Sequence, residues 1–256
     1  MIEFRRFPAY DPTMTEMPGP AEFAEHAGDH HHADVSGGWL RAAVFGAMDG
    51  LVTNIGLVAG VGGGGANREL IILTGMAGLV AGAFSMALGE FASVDTQNEA
   101  VAHEVSVERD EIKRHPAAEQ AELAAMYQTM GLSPDTAEAV ARDVHRNPDL
   151  AVRVHITQEL GVDPEESPSP WTAAISSFLC FSVGGVIPLI PFLFGASALW
   201  TGLAVGAVGL FVLGALTSRF TRRSWLLAGL RQLAFGALAA GATYLVGLLI
   251  GVGVSG

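Results

Sequence analysis

The feature that most constrains this chain is a set of apolar stretches, each about long enough to cross a lipid bilayer. A hydrocarbon core of about 30 Å needs roughly 20 apolar helical residues. Because lipid offers no partner for backbone polar groups, such stretches must be helical. They predict an all-α membrane protein with five transmembrane helices, over residues 39–61, 70–91, 171–194, 198–217 and 225–254.

The polar segments predict the domain organisation. Residues 1–38 are polar and lack the apolar core of a secretory signal, so we expect a disordered cytosolic tail. We expect spans one and two within 39–95, a cytosolic acidic helical metal-binding domain within 96–168, and spans three to five within 169–256. The tail histidines either collect metal or are incidental, and both interpretations stay open for His26, His30, His31 and His32.

Positive charge predicts the orientation. Arg219, Arg222 and Arg223 lie between spans four and five, whereas the two short turns between spans offer only Arg68. Because Lys and Arg concentrate in cytoplasmic loops, we expect the N-terminus and the insert inside and the C-terminus outside. Without an organellar targeting signal, we expect a bacterial plasma membrane, with a vacuole-like compartment as the alternative.

The net charge and the cysteine content limit the partners. The formal net charge is −12, and most of it lies between residues 99 and 166. This acidity makes nucleic acid an unsuitable partner and favours cations. The single cysteine, Cys180, lies in an apolar stretch and provides neither a disulfide framework nor a thiolate metal site.

Polar side chains within spans one and two predict a transport path. Asp49 lies about ten residues into span one, which at about 1.5 Å per residue places it near the middle of the bilayer. A carboxylate there costs at least about 2.5–3.5 kcal/mol, and such residues usually face a cavity and mark a path. Helical spacing adds four candidates near the same path: Thr53, Asn54, Met86 and Glu90.

The chemistry of these groups favours a transition metal. A carboxylate, a thioether and neutral oxygens suit Fe2+ or Mn2+ better than Mg2+ or Ca2+. Two alternatives remain open: Asp49 forms an ion pair with a basic group such as Arg41, or Glu90, close to the water boundary, has a solvated structural role.

The insert predicts a second cluster of ligands on bundled helices. The first helix continues span two to residue 114, and three more follow over about 117–130, 135–146 and 149–160. Carboxylates and one imidazole recur on these helices at spacings of three or four residues. Like charges so placed repel one another unless a bound cation neutralises them, as in metal-binding bundles. Solvated helix faces are the alternative for Glu104, Glu108, Glu111, Glu119, Glu122, His155 and Glu159.

Four segments together resemble one known family. Gly46-Ala-Met-Asp-Gly-Leu-Val-Thr-Asn, Ala81-Gly-Ala-Phe-Ser-Met-Ala-Leu-Gly-Glu-Phe-Ala-Ser-Val, the Glu-rich insert and Pro188-Leu-Ile-Pro resemble the vacuolar iron transporter family. The resemblance extends over nearly all residues from Trp39 onward. It implies a five-span homodimer with a cytosolic metal-binding domain that exchanges Fe2+ for H+. It also implies a path carboxylate at Asp49, a path thioether at Met86 and insert ligands at Glu108, Glu111, Glu119, Glu122 and Glu159.

Two positions depart from that family. His155 occupies a position where some relatives have methionine, and it suits Zn2+ as well as Fe2+. Gly78 occupies a position early in span two where some relatives have a second acidic residue.

Together these patterns predict a transporter rather than an enzyme. We expect the chain to move Fe2+, and also Mn2+ or another divalent transition metal, out of the cytosol in exchange for protons. A membrane-anchored ferritin-like ferroxidase and a metal sensor are the alternatives. The insert has no Glu-x-x-His pair of the kind di-iron bundles use, and no output domain is apparent.

Overall fold

The computed structural model describes residues 38–221 and 224–254, and every regular element within them is helical. Five helical units are long and apolar enough to span a bilayer, as the sequence predicts. The helices are α1 (Gly38–Gly63), α2 (Arg68–Arg114), α3 (Pro116–Thr129), α4 (Pro134–Val144), α5 (Pro148–Leu160), α6 (Pro170–Val186), α7 (Ile190–Leu193), α8 (Leu199–Thr221) and α9 (Trp225–Val254), with a 3₁₀ turn at Ile187–Leu189. The tail histidines, Arg222 and Arg223 lie outside the described residues.

Contacts at the two ends of the spans show how the helices alternate. At one end, the Arg41 guanidinium of α1 contacts Glu90 of α2, and the Ser176 hydroxyl of α6 donates to the Trp39 carbonyl. At the opposite end, the Arg68 side chain of α2 donates to the Phe192 carbonyl of α7 at 2.7 Å. Therefore α1 and α6 run in the same direction, and α2 runs antiparallel to both. The start of α1 and the insert lie at the same end of the bundle.

Glycines bring α1 into backbone contact with its neighbours. A Cβ atom at Gly50 would overlap the Phe181 carbonyl of α6, and one at Gly184 would overlap the Ala47 carbonyl of α1. On the other side of α1, a Cβ at Gly247 of α9 would overlap the Gly60 carbonyl. Small residues are the usual means of close packing between membrane helices. The backbones of α1, α6 and α9 can therefore approach this closely because glycine has no side chain at these contacts.

This packing gives a stability prediction. We expect Gly50→Ala to lower the free energy of unfolding by about 1–3 kcal/mol, because backbone atoms of α6 must move to admit the methyl group. The matched control is Gly89→Ala on α2, where a Cβ would meet nothing within 4 Å and alanine favours the helix. Thermal unfolding in detergent measures both variants. Equal melting temperatures for the two would contradict the predicted overlap.

The α-helix of span three is interrupted at Pro188. Because proline has no backbone N–H, the α-helix is interrupted, and a 3₁₀ turn at Ile187–Leu189 joins α6 to α7. The Asn54 amide of α1 donates to the Gly185 carbonyl at 2.6 Å, just before the turn. A side chain of span one therefore stabilises span three next to this interruption.

The insert is built on α2, which passes from the apolar segment into the acidic one without a break. Its 47 residues extend about 70 Å at about 1.5 Å per residue, more than twice the thickness of a hydrocarbon core. The far end of α2 packs on α5 through Ile112, Val152 and Ile156. Helices α3 and α4 pack through Leu123 and Ala141, among others, and Val144 contacts both groups. This small core places the acidic faces of three helices together.

Candidate functional site

Three helices of the insert place carboxylates around one imidazole. The Nδ1 atom of His155 on α5 lies 3.1 Å from Oε1 of Glu108 on α2 and 3.2 Å from Oε1 of Glu159, one turn along α5. Oε2 of Glu119 on α3 is 3.9 Å from the same nitrogen. We call these four side chains the insert cluster. Within the described residues, Glu108, His155 and Glu159 can direct one ligand atom each to a single metal ion.

Three of the four side chains of the insert cluster are largely shielded from solvent, whereas Glu159 is 34% exposed. The His155 side chain has 0% of its surface exposed, and Glu108 and Glu119 retain 11% and 12%. The His155 Nδ1 hydrogen-bonds to Glu159, whereas the nearby Oε1 of Glu108 is buried with no hydrogen-bond partner. A buried carboxylate oxygen without a partner carries a large desolvation cost, which a bound cation removes. Donor types and burial therefore both suit a divalent transition metal.

Burial and mutual repulsion disfavour the charged state of these carboxylates. Burial, with the charges of Glu159, Glu119 and Glu122, raises the pKa of Glu108 to about 7, although His155 acts in the opposite direction. Burial and the charge of Glu122 also raise the pKa of Glu119. A cation that enters the cluster therefore competes with protons for the same oxygens.

The other predicted insert residues lie at different distances from this centre. Glu122 and Glu111 are near enough to Glu119 for their charges to act on it, and Glu111 also lies 3.8 Å from His115. Glu104 is exposed and lies outside the three-residue group, although its helical spacing puts it on the same stripe of α2 as Glu108. Distances or charge effects thus connect six of the seven residues among those described, and their role as ligands, like that of Glu104, stays a prediction.

The predicted path residues lie on two helices: Asp49, Thr53 and Asn54 on α1, and Met86 and Glu90 on α2. The Thr53 hydroxyl is hydrogen-bonded to the Asp49 carboxylate. Asn54 is fully buried, and its amide donates to the Gly185 carbonyl. Its Oδ1 faces Gly78 of α2 and has no hydrogen-bond partner among the described residues. Met86 is half-buried on α2, one turn before Glu90. The structure therefore offers the Asp49 carboxylate, the Asn54 oxygen and the Met86 thioether as separate polar groups within the spans.

Two interpretations of the charged residues are wrong. Arg41 does not pair with Asp49; its Nη2 contacts Oε2 of Glu90 at 2.8 Å. Arg41 and Asp49 are eight residues apart, about 12 Å along one helix, which exceeds the reach of an ion pair, whereas Glu90 lies across the interface with α2. Nor is Glu90 solvated, because its side chain is only 8% exposed. Glu90 is a buried carboxylate paired with an exposed guanidinium.

One functional candidate, His145, has no signal in the sequence. It follows the end of α4, and its ring centroid lies 5.3 Å from that of His155 in an edge-to-face arrangement. The two histidines are on different helices, so no helical spacing links them. Only the packing of α4 against α5 through Val144 and Val154 brings them together.

Comparisons with known proteins agree with this architecture. The model of the VIT family matches residues 40–248. The chain is 30% identical over 234 residues to vacuolar iron transporter 1 of Oryza sativa subsp. japonica, covering 89% of this chain and 93% of that protein. It is 34% identical over 229 residues to the vacuolar iron transporter of Acanthamoeba castellanii, covering 87% and 83%. The chain belongs to the VIT family. The match includes both the spans and the insert.

The donor set of this VIT family member differs from the thioether expected in some relatives. An imidazole at position 155 is a harder ligand than methionine and binds Fe2+, Mn2+ and Zn2+ well. With carboxylates from α2 and α3 and the Glu159 carboxylate, the four side chains of the insert cluster offer nitrogen and oxygen donors. Such a set binds divalent transition metals, with Zn2+ as a strong competitor of Fe2+.

The raised pKa of Glu108 predicts opposite effects of pH on metal binding and on stability. Metal binding needs the deprotonated carboxylate, so we expect affinity for Mn2+ to fall up to about tenfold per unit as pH drops from 7 to 5. Without metal, the folded state holds a proton that the unfolded state releases between pH 4.5 and about 7, so this group makes the metal-free protein more stable as pH falls through that range.

Calorimetric titration with Mn2+ and thermal unfolding across this pH range measure the two effects. Glu108→Gln should reduce both pH dependences, and Glu104→Gln, which changes an exposed glutamate one turn away on α2, should leave both unchanged. Unchanged pH dependences in Glu108→Gln would show that a group other than Glu108 causes them.

Proposed function

We propose that this chain transports Fe2+ out of the cytosol in exchange for protons, with Mn2+ as a second cargo. The observation that carries the proposal is the continuity of α2. One unbroken helix bears Glu108 of the insert cluster at one end and Met86 and Glu90 within its apolar part. A site that collects a divalent cation is thus joined rigidly to polar groups inside the spans. The names of the relatives, which call them iron transporters, support iron as the cargo.

In the proposed sequence of events, the insert cluster first concentrates Fe2+ near the entrance of the path. The Glu90 carboxylate then receives the ion, and the ion competes with the Arg41 guanidinium for it. A divalent cation has twice the charge of the guanidinium, so it displaces a partner that is itself 65% exposed and easily rehydrated. The ion continues past the Met86 thioether to the Asp49 carboxylate and the Asn54 oxygen.

Protons drive release in this proposal. Protons that enter from the opposite side compete for Asp49, neutralise its charge and free the metal. The excess of arginines between α8 and α9 supports a cytosolic location of that loop, and with it of the insert. We further propose a homodimer as the working assembly, on the basis of the resemblance described above, and a bacterial plasma membrane as its location.

The test is transport by the purified protein in sealed liposomes that contain both a metal-sensitive and a pH-sensitive dye. We expect Fe2+ to enter, protons to move in the opposite direction, and Mn2+ and Zn2+ to compete better than Mg2+. Liposomes without protein set the background. Metal binding without entry, or entry without proton movement, would contradict the proposal of a proton-coupled transporter.

A further inference from the structure

His155 of the insert cluster and its half-buried neighbour His145 each have a buried ring nitrogen without a hydrogen-bond partner. Nε2 of His145 and Nε2 of His155 are both buried, and neither has a hydrogen-bond partner among the described residues. The two rings are neighbours, with centroids 5.3 Å apart and planes at 84°. Buried polar atoms without partners are uncommon, and two of them on adjacent rings call for a physical explanation.

In the metal-free structure the two Nε2 atoms are not in hydrogen-bonding geometry, and the tautomers of the neutral rings agree with this. Nδ1 of His145 lies 2.9 Å from the Ala141 carbonyl, and because a carbonyl only accepts, this nitrogen carries the proton of the neutral ring. Nε2 of His145 is then an acceptor. Nδ1 of His155 faces three carboxylates, so we assign the proton of the neutral, metal-free ring to this nitrogen, which leaves its Nε2 as a second acceptor. Two acceptors cannot form a hydrogen bond with each other.

Metal binding changes this situation at His155. The nitrogen that faces the carboxylates is Nδ1, and a metal bound among them takes its lone pair. The proton of the neutral ring must then be on Nε2, which becomes a donor. Metal-binding histidines almost always donate their second N–H to a partner that fixes the ring. The neighbouring ring that offers an unpaired nitrogen is that of His145, with its centroid 5.3 Å from that of His155.

We propose that His145 is a positioning residue of the insert cluster, which accepts a hydrogen bond from Nε2 of His155 when a divalent cation binds at Nδ1. This inference rests on the proposed metal-binding role of the insert cluster. It explains why the nitrogens are unpaired in the metal-free protein, and it makes α4, which contributes no carboxylate to the cluster, part of the response to metal. The end of α4 is then fixed to α5 more firmly in the loaded state than in the empty one.

The first test measures Zn2+ affinity by calorimetry on the full-length protein in detergent, with the four tail histidines replaced by alanine. His145→Phe keeps a ring and loses the acceptor, so we expect affinity to fall about tenfold. His145→Gln restores an acceptor and should recover most of the loss. His103→Phe, at an exposed position on α2, is the control and should leave affinity unchanged.

The second test observes the proton directly and does not depend on a substitution. In the protein labelled with 15N-histidine, solid-state NMR should find the His155 proton on Nδ1 without metal and on Nε2 with Zn2+. The loaded state should show a nitrogen–nitrogen coupling between the two Nε2 atoms, which disappears in His145→Phe. Unlike a general loss of packing, this signature reports the hydrogen bond itself.

The outcomes separate the two proposals. If the unmodified insert cluster does not bind Zn2+, the proposed metal centre is wrong and the role of His145 is lost with it. If it binds Zn2+ but His145→Phe binds equally well, or the loaded protein shows no coupling between the rings, only the role of His145 is overturned. Equal weakening in His145→Phe and His145→Gln would likewise overturn it in favour of simple packing.

Discussion

Replacement of Asp49 by asparagine is expected to lower the rate of Fe2+ entry into liposomes at least about a hundredfold. That factor corresponds to about 2.8 kcal/mol at about 1.4 kcal/mol per tenfold change. Asparagine has nearly the same shape and still accepts the hydrogen bond from Thr53, so the helix packing should persist. It lacks the negative charge that offsets the lost hydration of a divalent cation in the middle of the membrane.

Metal binding at the insert shows whether the effect of Asp49→Asn is specific to the transport path. Asp49 belongs to α1, and the insert cluster is formed by α2, α3 and α5, so Asp49→Asn should bind Mn2+ at the insert as tightly as the unmodified protein. Asp110→Asn is the matched control, because it removes an exposed carboxylate of the insert that pairs only with Arg114 at the surface. Transport at the normal rate by Asp49→Asn would remove Asp49 from the path.

The elements that the sequence predicts well are those that local physics determines. The spans follow from the length of the apolar stretches. Helix α2 continues beyond its span because residues 91–115 contain no proline or glycine. Proline also occupies the first turn of α4, α5 and α6, and Ser133, Asn147 and Ser169 cap them. These signals place the start of each of these three helices within one residue.

The candidate site is less predictable because it depends on which helices meet. Spacing along α2 groups Glu104 with Glu108, but only Glu108 lies where α5 crosses, next to His155. His145 reaches His155 through the packing of α4 on α5, which no pattern along the chain encodes. A carboxylate on a helix stripe is a candidate by spacing, and tertiary packing decides whether it joins a cluster.

The same limitation applies in the spans, where Arg41 pairs across the interface with Glu90 and not along its own helix. This pair leads to the second large prediction. We expect Glu90→Gln to lower Fe2+ transport about thirtyfold, because the ion loses the carboxylate at the entrance of the path, equivalent to about 2 kcal/mol. We expect Arg41→Gln to lower the stability by about 1–2 kcal/mol, because it leaves a buried carboxylate without its partner.

The double variant distinguishes a path residue from a structural ion pair. Without both charges, no buried carboxylate remains unpaired, so Arg41→Gln/Glu90→Gln should melt close to the unmodified protein. If Glu90 belongs to the path, transport by the double variant should stay as low as in Glu90→Gln alone. Transport that recovers to within about twofold of normal, together with stability, would mean that Glu90 serves only to hold Arg41. Thermal unfolding and liposome uptake on the same preparations decide between the two roles of Glu90. The structural role predicts that stability and transport recover together, and the path role predicts that only stability recovers.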